Sequence, residues 1–215
     1  MSYVNSMAQE VICKIVYVGP GQSGKTANLR ALYDRSNPNL RGSLISPTQS
    51  ERTLLFEFLP MSLGEVGGMK TYCHLYAVSG QLLHALGRRL VLRGADGVVF
   101  VADSTEGRRE ANLDAMEELH EHLRYHGFQP GELPMVVQYN KRDVADAVPV
   151  EELRALLHSQ EGADMEASSI RGQGVFDTMK LVVRLAMSRL QNTELAMTMV
   201  RGVTTRKIDA RSDGR

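Results

Sequence analysis

Cysteine is scarce in this chain: only Cys13 and Cys73 occur among 215 residues. Two thiols build no disulfide framework, and a metal centre would need further ligands beside them. Both fall inside strand-like runs, which reads as buried free thiols in a reducing cytosol. No charge of one sign dominates, because Lys plus Arg and Asp plus Glu each number 25. That balance gives no global field to favour nucleic acid or an anionic membrane. Long apolar runs are missing too. The longest wholly apolar stretch, Val98 to Ala102, is far too short to span a bilayer, and the N-terminus lacks a basic-then-apolar signal. Ser2 in place of glycine argues against N-myristoylation, and the absence of cysteine near Arg215 argues against prenylation. The expectation is a cytoplasmic protein with no direct membrane anchor, whose membrane association comes only through a partner.

What is present suits one compact domain, with 43% hydrophobic residues. Strand patterns occur at Val11 to Val18, Thr53 to Leu59, Met69 to Val78, Gly97 to Ala102, Met135 to Tyr139 and Met165 to Ser168. Helical patterns alternate with them at Lys25 to Tyr33, Arg108 to His126, Val150 to His158 and Val175 to Leu190. Leu113, Met116, Leu119 and Leu123 form one core stripe, and Phe176, Met179, Val183, Ala186 and Leu190 form another. The alternation predicts an α/β fold: a mostly parallel, doubly wound sheet of about six strands with helices on both faces and ligands at the strands' carboxyl ends. Residues 1–10 read as an N-terminal extension, 11–191 as the folded domain and 192–215 as a tail whose polar end is partly disordered.

The loop from Gly19 to Thr26 fits the phosphate-loop pattern G-x-x-x-x-G-K-[ST] at every fixed position, directly after a strand pattern. Glycines let backbone N–H groups from Gly19, Gly21, Gln22, Ser23, Gly24 and Ala27 wrap an anion, while the next helix aims its positive end at it. Lys25 would reach the terminal phosphates, and Thr26 would ligate magnesium.

A second loop chooses the base. Asn140, Lys141, Arg142 and Asp143 follow another strand pattern and spell N-K-x-D. A carboxylate offers two adjacent acceptors to the two donors on guanine's N1 and exocyclic amine, whereas adenine has no such amine. Asp143 therefore argues for GTP over ATP. Asn140 would contact the base's other edge and tie the loop together, and the stem of Lys141 would cover the ring.

These motifs, with a switch threonine at Thr53, the run Val78 to Gln81 and the run Glu166 to Ser169, resemble the Ras-like small GTPases with their P-loop NTPase G domain. Ile15 to Gly21, Glu51 to Pro60, Leu63 to Glu65 and Gly174 to Thr178 look more closely like the MglA-type GTPases of bacterial gliding motility and cell polarity. The resemblance implies a switch that binds GTP and GDP with Mg²⁺ and hydrolyses GTP. Thr26 and Thr53 would hold the metal, and Gly80 would sense the γ-phosphate. Gln81 would orient the water, and Arg52 would act as an intrinsic arginine finger. Ser168 and Ser169 would complete the base site, the Ser169 N–H contacting guanine. The implied partners are an MglB-like homodimer of the roadblock fold as activator, an exchange factor and effector proteins.

One position departs from the pattern. Ras-like proteins usually carry D-x-x-G before the catalytic glutamine, and here the aspartate's place is taken by Ala77. Losing a partner of the metal's water weakens magnesium retention by about 10 to 100-fold in comparable sites. Asp103 is the nearest substitute, with helix capping as its other reading. The alanine also leaves open a module that binds GTP without turning it over. A third reading, an ATP-driven phosphotransferase, predicts that ATP competes with GTP. Both faces of Thr53 to Leu59 are largely apolar, so its register is weakly specified. The resemblance to the MglA-type GTPases implies that this strand moves between nucleotide states, and the expectation is a register or rotation change that carries Arg52 toward the phosphate.

Overall fold

The computed structural model describes residues 3–5, 9–46, 56–66, 69–78, 85–157 and 162–191. In chain order the strands are β1 (Tyr3–Asn5), β2 (Glu10–Val18), β3 (Phe56–Val66), β4 (Met69–Val78), β5 (Gly97–Asp103), β6 (Met135–Asn140) and β7 (Ala163–Glu166). The helices are α1 (Lys25–Arg35), α2 (Ala85–Leu92), α3 (Arg109–Tyr125), α4 (Val150–Leu156) and α5 over 175–191. A single sheet of seven strands in the order β3-β4-β2-β5-β6-β7 organises them, with β1 on β2. The pairs β2–β4, β2–β5, β5–β6 and β6–β7 are parallel, and β3–β4 and β1–β2 are antiparallel.

Period-two alternation divides the sheet's side chains between two cores. Cys13, Ile15, Tyr17, Val99 and Val101 pack with Leu29 and Leu32 of α1 and Met179 and Val183 of α5. Val16, Val98, Phe100 and Ala102 face the other way, onto Val91 and Leu92 of α2, Met116 and Leu119 of α3 and Leu153 of α4. β5 is buried along its whole length, as its unbroken apolar run implies for a central parallel strand. Each fully buried Val, Leu, Ile, Phe or Met among them contributes about 1.5–3 kcal/mol by leaving water.

Several expectations shift. The first strand is preceded by β1, whose three residues pair with Glu10 to Ile12, on the edge of β2 that β5 joins only from Ile15 onward. Thus 1–10 is in part sheet, not only an extension. α2 was not anticipated. β3 continues past Leu59 through Pro60 to Val66, with a register shift between Ser62 and Glu65. Proline is tolerated there because β3 ends the row of named strands. β7 spans Ala163–Glu166, two residues earlier than Met165 to Ser168, because Ala167 N–H still bonds to Tyr139 while Ser168 already pairs with Gln173. Leu113 is exposed, so it does not belong to the α3 core stripe. The inward position one residue earlier is held by Asn112, whose side chain clasps both the N–H and the carbonyl of Asp103 at 2.9 Å.

Candidate nucleotide site

The 19–24 loop leaves β2 and enters α1 through turns that need left-handed backbone at Gly19, Gln22 and Gly24 (φ 137°, 65° and 101°). Close approach excludes side chains as well. A Cβ at Gly19 would strike the Val101 carbonyl oxygen, and one at Gly24 would strike the Asn140 amide nitrogen. Lys25 is buried, its ammonium donating to the carbonyls of Gly19 at 2.9 Å and Pro20 at 2.7 Å. The N-terminus of α1 faces the same loop, adding its positive dipole end. Behind it, Asn28 exchanges hydrogen bonds with Gln138 of β6, and Gln138 donates to Thr178 of α5 at 2.9 Å. This buried chain of amides fixes the helix against the sheet.

Asn140, wholly buried at the end of β6, joins three loops. Its Nδ2 donates to the Ser23 carbonyl at 2.7 Å and to Ser169 Oγ at 3.0 Å, while its Oδ1 accepts from the Ser169 N–H at 2.9 Å. The Ser169 N–H is therefore engaged with Asn140. Next to it, Asp143 Oδ1 accepts from Ser168 Oγ at 2.5 Å. That hydroxyl, ahead of Arg171 and Lys141, holds the Asp143 carboxyl below its ordinary range. Lys141 sits in the left-handed region, φ 66°, directing its ammonium to Asp103 Oδ2 at 2.7 Å.

Asp103 is occupied on both oxygens. Oδ1 accepts from the Thr105 N–H and hydroxyl, and Oδ2 accepts from Lys141 and, at 3.3 Å, from Arg108 Nε. Burial alone would raise this carboxyl, but Lys141 and Thr105 outweigh it and bring it below the usual value. Arg108 reaches on to the Gly21 carbonyl at 2.7 Å. Asp103 thus links the β6 loop to the glycine loop. It neither caps α3, where the residue before the first turn is Arg108, nor has an oxygen left for a metal's water.

The described part of the 460 Å³ cavity is lined by Gln22, Gly24, Lys25, Thr26, Ala27 and Ser169, and extends along α1 to Arg30 and Arg35. A volume of this order holds a small-molecule ligand or cofactor. Glu57 of β3 is buried. Burial pushes its carboxyl up, opposed by the Thr26 hydroxyl and by the charges of Arg30 and Lys25. The Cys13 thiol is likewise raised, to about 12, by burial and then by Asp96.

Of the residues singled out from the sequence, Gln22, Gly24, Lys25, Thr26, Ala27 and Ser169 line this cavity, Gly19 and Gly21 line a second one with Lys25, and Ser23, Asn140 and Ser169 are joined by hydrogen bonds, with Asp143 on Ser168 and Lys141 on Asp103. Arg52, Thr53, Gly80 and Gln81 lie outside the described residues. Sequence reasoning missed Arg108, Gln138 and Glu57. Only Glu57, an acid within an apolar strand, carried any signal.

The ADP-ribosylation factor family matches residues 1–204. The chain is also 47% identical over 192 residues to the mutual gliding-motility protein MglA of Myxococcus xanthus (strain DK1622), covering 89% of this chain and 98% of that relative.

Proposed function

The chain belongs to the ADP-ribosylation factor family of small GTPases, and from that premise we propose that it is a guanine-nucleotide switch that hydrolyses GTP and controls bacterial cell polarity or gliding motility. The observation that carries the nucleotide reading is the bond from Asn140 to the Ser23 carbonyl. It ties the loop that would select the base to the glycine loop that would cradle the phosphates.

In this reading, backbone N–H groups of the 19–24 loop and Lys25 receive the phosphates, and Asp143 receives the guanine edge. Lys141 and Ser169 shape the base pocket through Asp103 and Asn140. The residues present also fit magnesium. Thr26 lies in the first turn of α1, and one buried carboxylate oxygen of Glu57 has no hydrogen-bond partner among the described residues. Thr26 would hold the ion, with Thr53 from the preceding switch. Bound there, it would neutralise phosphate charge. Gln81 would orient the attacking water and Arg52 would face the developing charge, preorganised donors being the main protein contribution to such a reaction. Movement of β3 would carry Arg52 toward the phosphates.

The sequence likeness supports a roadblock-fold homodimer as activator, an exchange factor and effectors that read the GTP form. Among the described residues no helix is long and apolar enough to cross a membrane, which is compatible with recruitment through such partners. The second reading, a module that binds GTP without hydrolysis, is favoured by Ala77, whose methyl offers no oxygen. Single-turnover phosphate release with bound GTP separates the two: release on mixing with magnesium supports the enzyme, and intact GTP after prolonged incubation, with and without the activator, supports the module.

A further inference from the structure

Glu57 on β3 stands directly opposite Ala77 on β4 in the antiparallel ladder. Residues directly opposite in such a pair project from the same face. Both are buried, at 9% and 1% exposure. On that face Ala77 contributes only a methyl, while Glu57 brings a carboxylate that the Thr26 hydroxyl and the charges of Arg30 and Lys25 act upon. Its Oε2 has no hydrogen-bond partner among the described residues. A buried acceptor without a donor is costly, and native proteins rarely keep one that nothing uses.

Magnesium dehydrates reluctantly, so it retains waters that need acceptors and is held by few protein oxygens beside the phosphates. Asp103, the substitute suggested by the sequence, is saturated by Lys141, Arg108 and Thr105. Resting on the switch reading above, we propose that Glu57 supplies the carboxylate that accepts from magnesium-bound water, so that the acid absent from β4 at Ala77 has moved across the ladder to β3. The consequence is specific to this register. With Glu57 facing Ala77, the acid lies on the face where β4 offers only a methyl, which couples magnesium retention to the pairing of the strand that follows the first switch.

The test uses the full chain loaded with fluorescent mant-GDP, whose dissociation rate is followed against free magnesium. Glu57→Gln keeps the shape and removes the charge. The magnesium concentration that half-suppresses dissociation should rise about 10-fold or more, while dissociation in excess EDTA should match the unaltered chain. Adding Ala77→Asp to Glu57→Gln returns an acid to the same face and should restore most of the magnesium sensitivity. An unchanged half-effect concentration in Glu57→Gln overturns the proposal. So does faster release in EDTA by the same factor, which would make Glu57 a packing residue. If Glu57→Gln does not fold, the double variant decides: magnesium sensitivity restored supports the assignment, and a folded double variant that ignores magnesium overturns it. Failure of the unaltered chain to hold mant-GDP at all would instead contradict the switch reading.

Discussion

Asn140 Nδ2 donates to the Ser23 carbonyl at 2.7 Å, across 117 residues of sequence. One buried amide therefore sets the distance between the loop that ends β6 and the loop that ends β2. Both ends of a nucleotide would be held at a spacing fixed by a single side chain, which explains why Gly24 beside it tolerates no Cβ.

Replacing Asn140 by alanine removes this tie and leaves the Ser169 N–H without its acceptor. Buried groups left unpaired cost about 1–3 kcal/mol, so nucleotide dissociation should accelerate by about 5 to 150-fold. Stopped-flow release of mant-GDP measures this, and a rate within a factor of about two of the unaltered chain would show that the tie does not hold the site.

Asp143→Asn keeps a group able to bond Ser168 but replaces one of two acceptors with a donor. Sites built to pair a substrate's donors reject analogues by about 10⁴ to 10⁵ when the pairing is lost. The preference for GTP over ATP should fall by about 10²-fold or more, read by competition binding. An unchanged preference would remove Asp143 from base selection.

Asp103→Asn tests the bridge from Lys141 to Gly21. The folded carboxyl lies below its ordinary value. Its contribution is therefore complete above the unfolded value, about 3.9, and is lost as pH falls through the folded one. At pH 7 the variant should lose about 1–3 kcal/mol, and its stability should fall less steeply than the parent's below pH 4 or so. Denaturant melts at pH 7 and in that acid range give both readings. Parallel pH profiles would show that Asp103 is not the linked group.

Arg52→Ala and Gln81→Leu should each bind GTP as the unaltered chain does yet hydrolyse it more slowly. For Arg52 the expected loss is about 10³-fold or more in the activated reaction. Single-turnover phosphate release decides it, since loss of binding in place of loss of rate would give both residues a structural role.

The legible parts of this molecule were those whose chemistry is local in sequence. The run Val98 to Ala102 announces a doubly buried strand, and Gly19 to Thr26 and Asn140 to Asp143 carry their geometry in their spacing. β1 was missed because Tyr3, Val4 and Asn5 are too few to show a period. α2 was missed because Gly87 interrupts its pattern. Leu113 fitted the helical spacing of α3, but the inward position went to Asn112, which the sheet needs as a clasp for Asp103. The pairing of Asp103 with Lys141 and Arg108, and of Glu57 with Ala77, exists only once the strands are laid side by side. No local pattern encodes it.

The central claim, that one guanine nucleotide bridges the two loops, is tested most directly by displacing mant-GDP from the purified chain with unlabelled nucleotides. GDP and GTP should displace it near equimolar ratio, while ATP should leave it bound even at about 10³-fold excess. Equal displacement by ATP and GDP, or no binding of mant-GDP, would contradict the account.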